Sequence, residues 1–360
     1  MFKGGRTVKK ILSLMLVLSM IVSCFAFTAS AMSVSEGLEA LESQFADGKN
    51  NFDYVYYTPV KKTSDTKKYP LIIWLHGQFS GDYKRYQLEN CEVALWSSEE
   101  YQAKIKGTGG AFIFLPRDPT LQLDMAWNGP VSELKLSIDA FILKYKKNID
   151  TNRIYLGGFS MGGKGTVRLA SAYPGYFAAI FPMSSVYNPS NTDLKSLKDT
   201  PIWMFTCRSD YINTSLNAHS IATNMWNYWK TNSSCKDVNR WTYFVSPLVN
   251  PNGITPVLDP IYSVFQHNSW DAVAHDLVMN NGKLYSNMVT LDGNGNAVSL
   301  TTKDTFLSWL SSQSLGGSVG GGTEDDEDKE PVVDIPSTSV LESVNKIFKL
   351  IYRIIEILFK

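Results

Sequence analysis

The sequence predicts an α/β fold: a mainly parallel sheet with helices packed on both faces. Three observations carry this expectation. Short apolar runs of strand length recur along the chain, and segments of helical periodicity fill the gaps between them. The chain has 360 residues, 44% of them hydrophobic and 19% charged, enough for one large globular core. Strands buried on both faces read as continuous apolar runs. Tyr69 to Leu75, ended by His76-Gly77, is one such run. Ala111 to Leu115 before Pro116 is a second, and Arg153 to Leu156 before Gly157-Gly158 a third. Ala178 to Phe181 and Pro201 to Thr206 add two more. Val131 to Lys147 has apolar residues at helical spacing, and 161–173 and 217–231 also suit helices. Strands and helices in this alternation imply right-handed crossovers within one sheet. Phe52 to Tyr57, alternating polar and aromatic residues, reads as an outer antiparallel strand.

The charge is segregated along the chain. Lys plus Arg and Asp plus Glu are both 34, a balance that argues against nucleic-acid binding, which needs a basic surplus. Residues 1–31 carry Lys3, Arg6, Lys9 and Lys10 and no acid, followed by an apolar stretch from Ile11 to Phe27 and by Ala29-Ser30-Ala31. This is the pattern of a cleaved export signal, and it predicts a secreted or cell-surface protein. Processing as a lipoprotein at Cys24 ranks second, because the apolar run continues past that cysteine to a better cleavage pattern. The mature chain then keeps Cys91, Cys207 and Cys235, which allow at most one intramolecular disulfide and match no zinc spacing.

The expected domain organisation is a signal over 1–31, a catalytic domain over 32–314, a Gly-rich and acidic linker over 315–339, and a helix over 340–360. Gly316 to Gly322 forms a hinge, the run Glu324 to Glu330 has six acids, and Pro331 and Pro336 close the linker. Residues 340–360 place apolar side chains on one broad helical face, with Lys346, Lys349, Arg353 and Glu356 on the other. Charges at mid-span argue against a membrane-crossing helix; a helix lying on a membrane surface or docking with a partner helix fits the pattern.

The informative motif is Gly158-Phe159-Ser160-Met161-Gly162, which follows one predicted strand and opens a predicted helix. A serine hydroxyl is a weak nucleophile. It reacts when a sharp turn exposes it to a base and places backbone donors nearby, here the N–H of Met161 at the helix start. An acid and then a histidine should follow in the chain, on loops after later strands. Of the four histidines, His219 and His275 fall in predicted helices; His219 reads as a surface or packing residue and His275 as structural. His76 precedes the serine and closes a strand, where the next amide, that of Gln78, is a candidate second oxyanion donor. His267 remains as the base. Asp210, on the loop after the 201–206 strand, is the candidate acid; Asp193 and Asp199 lie before that strand, and Asp259, Asp271 and Asp276 stand too close to His267 in the chain. Asp292 to Asn296 superficially resembles a calcium loop, but Ala297 and Lys303 occupy the positions that need Gly and an acid, so a hairpin is expected and no metal is assigned.

Together, the Leu75-His76-Gly77 strand end, the Gly157-to-Gly163 elbow, Asp210 and the segment His267 to Asp271 resemble the α/β-hydrolases. They are most similar to the secreted esterase branch that includes polyhydroxybutyrate-depolymerase-like, feruloyl-esterase-like and "predicted peptidase" proteins. The resemblance spans about residues 50–313. It implies Ser160 as nucleophile, Asp210 as acid, His267 as base, the amides of Gln78 and Met161 as oxyanion hole, and Trp127 and Trp270 lining the substrate site. It implies no cofactor. Two departures stand out: Gln78-Phe79-Ser80-Gly81 replaces a glycine-rich stretch, and Thr206-Cys207 replaces a His-Gly before the acid. The expected activity is hydrolysis of a carboxylic ester, acetyl or feruloyl, with plant polysaccharide as an expected carrier. A serine peptidase on the same fold and a non-catalytic surface-attached binding protein are the alternatives.

Overall fold

The structure is a computed structural model. It describes residues 39–316 apart from 51, 79–83, 85–87, 89–91, 119–126, 211–216, 246–266 and 280–281. The expected signal, nearly all of the linker, the terminal helix and Cys91 lie outside the described residues.

Each predicted apolar run is a strand. The strands are β1 (Ala46–Lys49), β2 (Asp53–Tyr57), β3 (Tyr69–Leu75), β4 (Phe112–Pro116), β5 (Ile149–Phe159), β6 (Ala179–Met183), β7 (Trp203–Cys207), β8 (Arg240–Phe244), β9 (Met288–Asp292) and β10 (Ala297–Val298). They form one sheet in the order β1-β2-β4-β3-β5-β6-β7-β8-β9-β10. From β4 to β8 every pairing is parallel, while β1, β2, β9 and β10 add antiparallel edges.

The helices are α1 (Glu99–Ala103), α2 (Val131–Lys144), α3 (Met161–Ala172), α4 (Asn191–Ser196), α5 (Ala218–Asn232), α6 (Ser269–Ala274) and α7 (Phe306–Ser311), with a 3-10 turn at Val93–Ser97. The period-two geometry of a strand sends successive side chains to opposite faces. In β3, Leu71, Ile73 and Leu75 join the core beneath α2, α3 and α5, whereas Ile72 and Trp74 join the core beneath the 93–97 turn, α6 and α7. The apolar run is continuous because both faces need it.

Three sequence expectations are refined. The strand at 52–57 is antiparallel to β4 as expected, but the edge position belongs to β1, which pairs with it from Ala46 to Lys49. β8 was not anticipated, because Arg240 and Tyr243 interrupt its apolar pattern; it is seated by pairing with β7 on one side and β9 on the other. The helix from 131 stops at Lys144 and is followed by turns that lead into β5 at Ile149. The expected hairpin is present. β9 pairs with β10, and Asp292 Oδ1 accepts from the N–H groups of Asn294 (2.9 Å) and Asn296 (2.8 Å), as a turn-forming Asp does. Among the described residues Cys207 and Cys235 are free thiols, and no helix is long and apolar enough to cross a membrane.

The last described helix is tied to the middle of the sheet. Arg153 on β5, 5% exposed, donates to Lys106 O (2.8 Å) and Ser311 O (2.9 Å), while Phe306 on α7 packs against Trp96, Phe181, Trp203 and Phe205. Phe306→Ala should cost about 3–5 kcal/mol, read as a lowered urea midpoint, because the cavity lies where four rings meet.

Candidate active site

Ser160 stands between β5 and α3 with φ 55° and ψ −117°, a backbone conformation that non-glycine residues rarely adopt. Such strain costs on the order of 1–3 kcal/mol and persists only where surrounding contacts hold it. Here the contacts are backbone. Ser160 N–H donates to Met183 O at the end of β6 (2.9 Å), and Ser160 O accepts from Lys164 N–H (3.1 Å). Two glycines permit the close approach. A Cβ on Gly158 would stand 2.7 Å from the Gly162 carbonyl carbon and oxygen, and one on Gly162 would stand 2.1 Å from Leu75 O. The elbow therefore needs both residues as glycine, because the clashing atoms are backbone.

The three residues selected from the sequence meet across the ends of β5, β7 and the segment before α6. His267 Nε2 lies 2.8 Å from Ser160 Oγ, and His267 Nδ1 lies 2.7 Å from Asp210 Oδ2. His267 and Asp210 are fully buried, so this contact is shielded from solvent, while Ser160 is half-buried. With Nδ1–H donating to the carboxylate, Nε2 presents its lone pair to the serine hydroxyl, the orientation in which an imidazole removes a proton. Met161 is the first residue of α3, and its N–H has no partner within the helix. Asp193 caps α4 with Ser190, and Asp199 pairs with Lys198, so neither approaches His267.

His76 has a different place from the base. Its ring accepts from Asp118 N–H at Nε2 (3.0 Å), which leaves Nδ1–H to donate to Gly77 O (2.6 Å). A planar trans peptide carries N–H opposite C=O, so holding the Gly77 carbonyl also sets the direction of the Gln78 N–H. Burial lowers the His76 pKa to about 4, which keeps the ring neutral and this tautomer intact.

Trp127 and Trp270, expected to line the substrate site, are both buried. Trp127 is 5% exposed, has φ 61°, and sits 4.8 Å from the His76 ring with its Nε1–H donating to His76 O (2.7 Å). Its backbone N–H donates to Asp118 Oδ2 and its carbonyl accepts from Arg168. The indole braces the turn after β3. Trp270 is 7% exposed, 4.4 Å from Phe159 and edge-on to His267 at 5.5 Å, so it supports the imidazole from the core side.

Sequence reasoning missed Asp118, which joins His76 to Trp127. A carboxylate shortly after a strand end was its only signal. His219 and His275 are packing residues, as expected. His219 Nδ1 contacts Thr206 Oγ1 at 3.1 Å, and His275 contacts Glu92.

The strand order, the serine on its elbow and the acid–imidazole–hydroxyl line together have the architecture of the α/β-hydrolase fold. Residues 131–240, from α2 to the start of β8, match the phospholipase/carboxylesterase family model. No curated protein matches the sequence. Among solved structures the chain is similar to a thermostable esterase, with 21% identity over 66% of this chain, 61% of that one and a TM-score of 0.49. The chain thus spans less than two thirds of that protein's length. A ferulic acid esterase aligns with 14% identity over 52% of this chain and 85% of its own, with a TM-score of 0.41. A mutant feruloyl esterase module from Clostridium thermocellum, complexed with sinapinate, aligns with 14% identity over 52% of this chain and 72% of its own, also with a TM-score of 0.41.

The His76 pKa of about 4 lies below the ordinary 6.5, so in that window the unfolded chain takes up the proton that the folded chain refuses. Stability contributed by neutral His76 is complete above about pH 6.5 and is lost as the pH falls toward about 4. Comparing urea midpoints near pH 7 and near pH 5, the wild type should lose more stability than His76→Gln. Equal losses would mean that His76 does not titrate as its surroundings require.

Proposed function

We propose that the protein is a secreted serine esterase that hydrolyses carboxylic esters through an acyl-enzyme. The observation that carries this reading is the line from Asp210 through His267 to Ser160, with contacts of 2.7 Å and 2.8 Å, ending on a hydroxyl held at positive φ. His267 Nε2 takes the Ser160 proton as Oγ attacks the ester carbonyl. The amides of Met161 and Gln78 receive the oxyanion, and the imidazolium returns the proton to the leaving alcohol. Water, deprotonated by the same imidazole, then releases the acid and restores the serine. Asp210 stabilises the imidazolium that forms in each step and holds its tautomer. No cofactor enters this sequence.

For the acyl group we propose acetyl or feruloyl esters, such as those on plant polysaccharide. The support is the resemblance of the strand-end, elbow and His267-to-Asp271 motifs to the feruloyl-esterase-like branch. Export rests on the basic, apolar and small-residue pattern of residues 1–31, and attachment through residues 340–360 on their amphipathic pattern.

Ser160→Ala should lower kcat on p-nitrophenyl acetate by roughly 10^6-fold. Asp210→Asn, which leaves the shape intact and lets His267 take the wrong tautomer, should lower it by about 10^4-fold. Unchanged turnover in Ser160→Ala would remove the serine mechanism. A panel of acetyl, butyryl, feruloyl and cinnamoyl esters beside peptide substrates decides the class; cleavage of peptides alone would replace the esterase reading with the peptidase one.

A further inference from the structure

Helix α6 follows His267 after a single residue, so whatever holds its first turn also holds the base. Its start is tied to the sheet by Ser269 Oγ, 2.8 Å from Ser184 Oγ at the end of β6. Its end is tied to the 93–97 turn by Trp96 Nε1–H donating to Ala274 O (2.9 Å), and the next residue, His275, contacts Glu92. Between these ties lie two polar side chains with an unusual relation. Asn268 occupies the N-cap position, yet its side chain caps no backbone N–H. It turns instead to Asp271, donating from Nδ2 to Oδ2 at 3.0 Å. The remaining polar atom of each group, the Asn268 Oδ1 and the Asp271 Oδ1, is buried and has no hydrogen-bond partner among the described residues. Asn268 is 7% exposed and Asp271 is 3% exposed.

Two orphaned acceptors on residues already joined by one hydrogen bond call for a proton between them. An ionised Asp271 would leave both oxygens unpaired, at about 1–3 kcal/mol each, and would bury a charge beside Glu92. One proton on Asp271 Oδ1 answers both. The carboxylic acid then donates to Asn268 Oδ1 while Oδ2 accepts from Nδ2, closing an eight-membered acid–amide ring. We propose that Asp271 and Asn268 form this closed acid–amide pair, and that the pair is the positioning element that fixes the backbone between His267 and α6 and so holds the His267 imidazole in line with Ser160. The surroundings agree. Burial, and then the Glu92 carboxylate, push the Asp271 carboxyl well above the usual range. Burial raises the Cys207 thiol and the Tyr285 phenol, with the charge of Asp271 a lesser cause for both. His275, one turn further on, is engaged with Glu92.

This inference rests on the esterase reading for its kinetic readout and carries a spectroscopic readout that does not depend on it. With the full-length protein and p-nitrophenyl acetate, Asp271→Asn should keep kcat near the wild-type value, since an amide supplies both the donor and the acceptor of the ring. Asp271→Leu, of similar bulk, removes both bonds and should lower kcat by roughly 10- to 100-fold with little change in KM, the signature of a displaced base. In the infrared at neutral pH, the C=O stretch of a protonated carboxyl group should be present in the wild type and lost in Asp271→Asn. A fall in Asp271→Asn as deep as in Asp271→Leu, full activity in Asp271→Leu, or no loss of the protonated-carboxyl band would each overturn the proposal. If Asp271→Leu does not fold, the Asn variant and the infrared band decide alone. Turnover surviving in Ser160→Ala would instead strike the esterase reading and leave the acid–amide pair to be judged by the infrared band.

Discussion

The first turn of α3 lies on the carbonyl ends of β3 so closely that a Cβ on Gly162 would stand 2.1 Å from Leu75 O and 2.5 Å from His76 O. Much of the site depends on this contact. It forces the chain to turn sharply at Ser160, which puts the serine in a conformation that costs energy and presents its hydroxyl above the sheet. It also brings the start of a helix, with unpaired N–H groups, against the residues that follow β3. The close approach of Gly162 to the Leu75 and His76 carbonyls is also why Gly162 is glycine.

Around that contact the supports are arranged by face. Beneath α2 and α3, Trp127 braces the turn after β3 through the His76 carbonyl, and Asp118 holds both Trp127 and His76. On the opposite face, Trp270, backed by Phe159, packs against the His267 imidazole, and the 93–97 turn grips the end of α6. Burying this many polar groups is tolerable because most are paired: His76 with two backbone groups, Glu92 with His275, Asp276 with Leu307 N–H (2.7 Å) and Lys104 (3.4 Å). Each pairing turns a desolvation cost into rigidity. Rigidity is what a proton-transfer line between three separate loops needs.

The reach of sequence reasoning varied with the distance over which each feature is decided. The central strands were legible because burial on both faces leaves no polar position, and the elbow because its steric demand for glycine acts within five residues. His267 followed from the scarcity of histidines, and Asp210 from chain order. The edge strand β1 and the mixed strand β8 were not legible, since they form by pairing with neighbours and their own composition is weakly patterned. The ring contacts of Trp127 and Trp270 with His76, Phe159 and His267 were not legible, because an aromatic residue near a catalytic motif looks the same in sequence whatever it packs against.

By itself, then, the sequence determined the alternation of strand and helix, the serine on its turn, and the order in which acid and base follow. These depend on periodicity and on local sterics, which are written in consecutive residues. Only the tertiary structure decided that His76 is a neutral brace, that Trp127 and Trp270 face inward, and that Asn268 and Asp271 share one hydrogen bond and leave two buried oxygens. Hydrogen bonds and burial join residues as far apart as Glu92 and His275. Their geometry is settled when the sheet closes and the helices pack on its two faces.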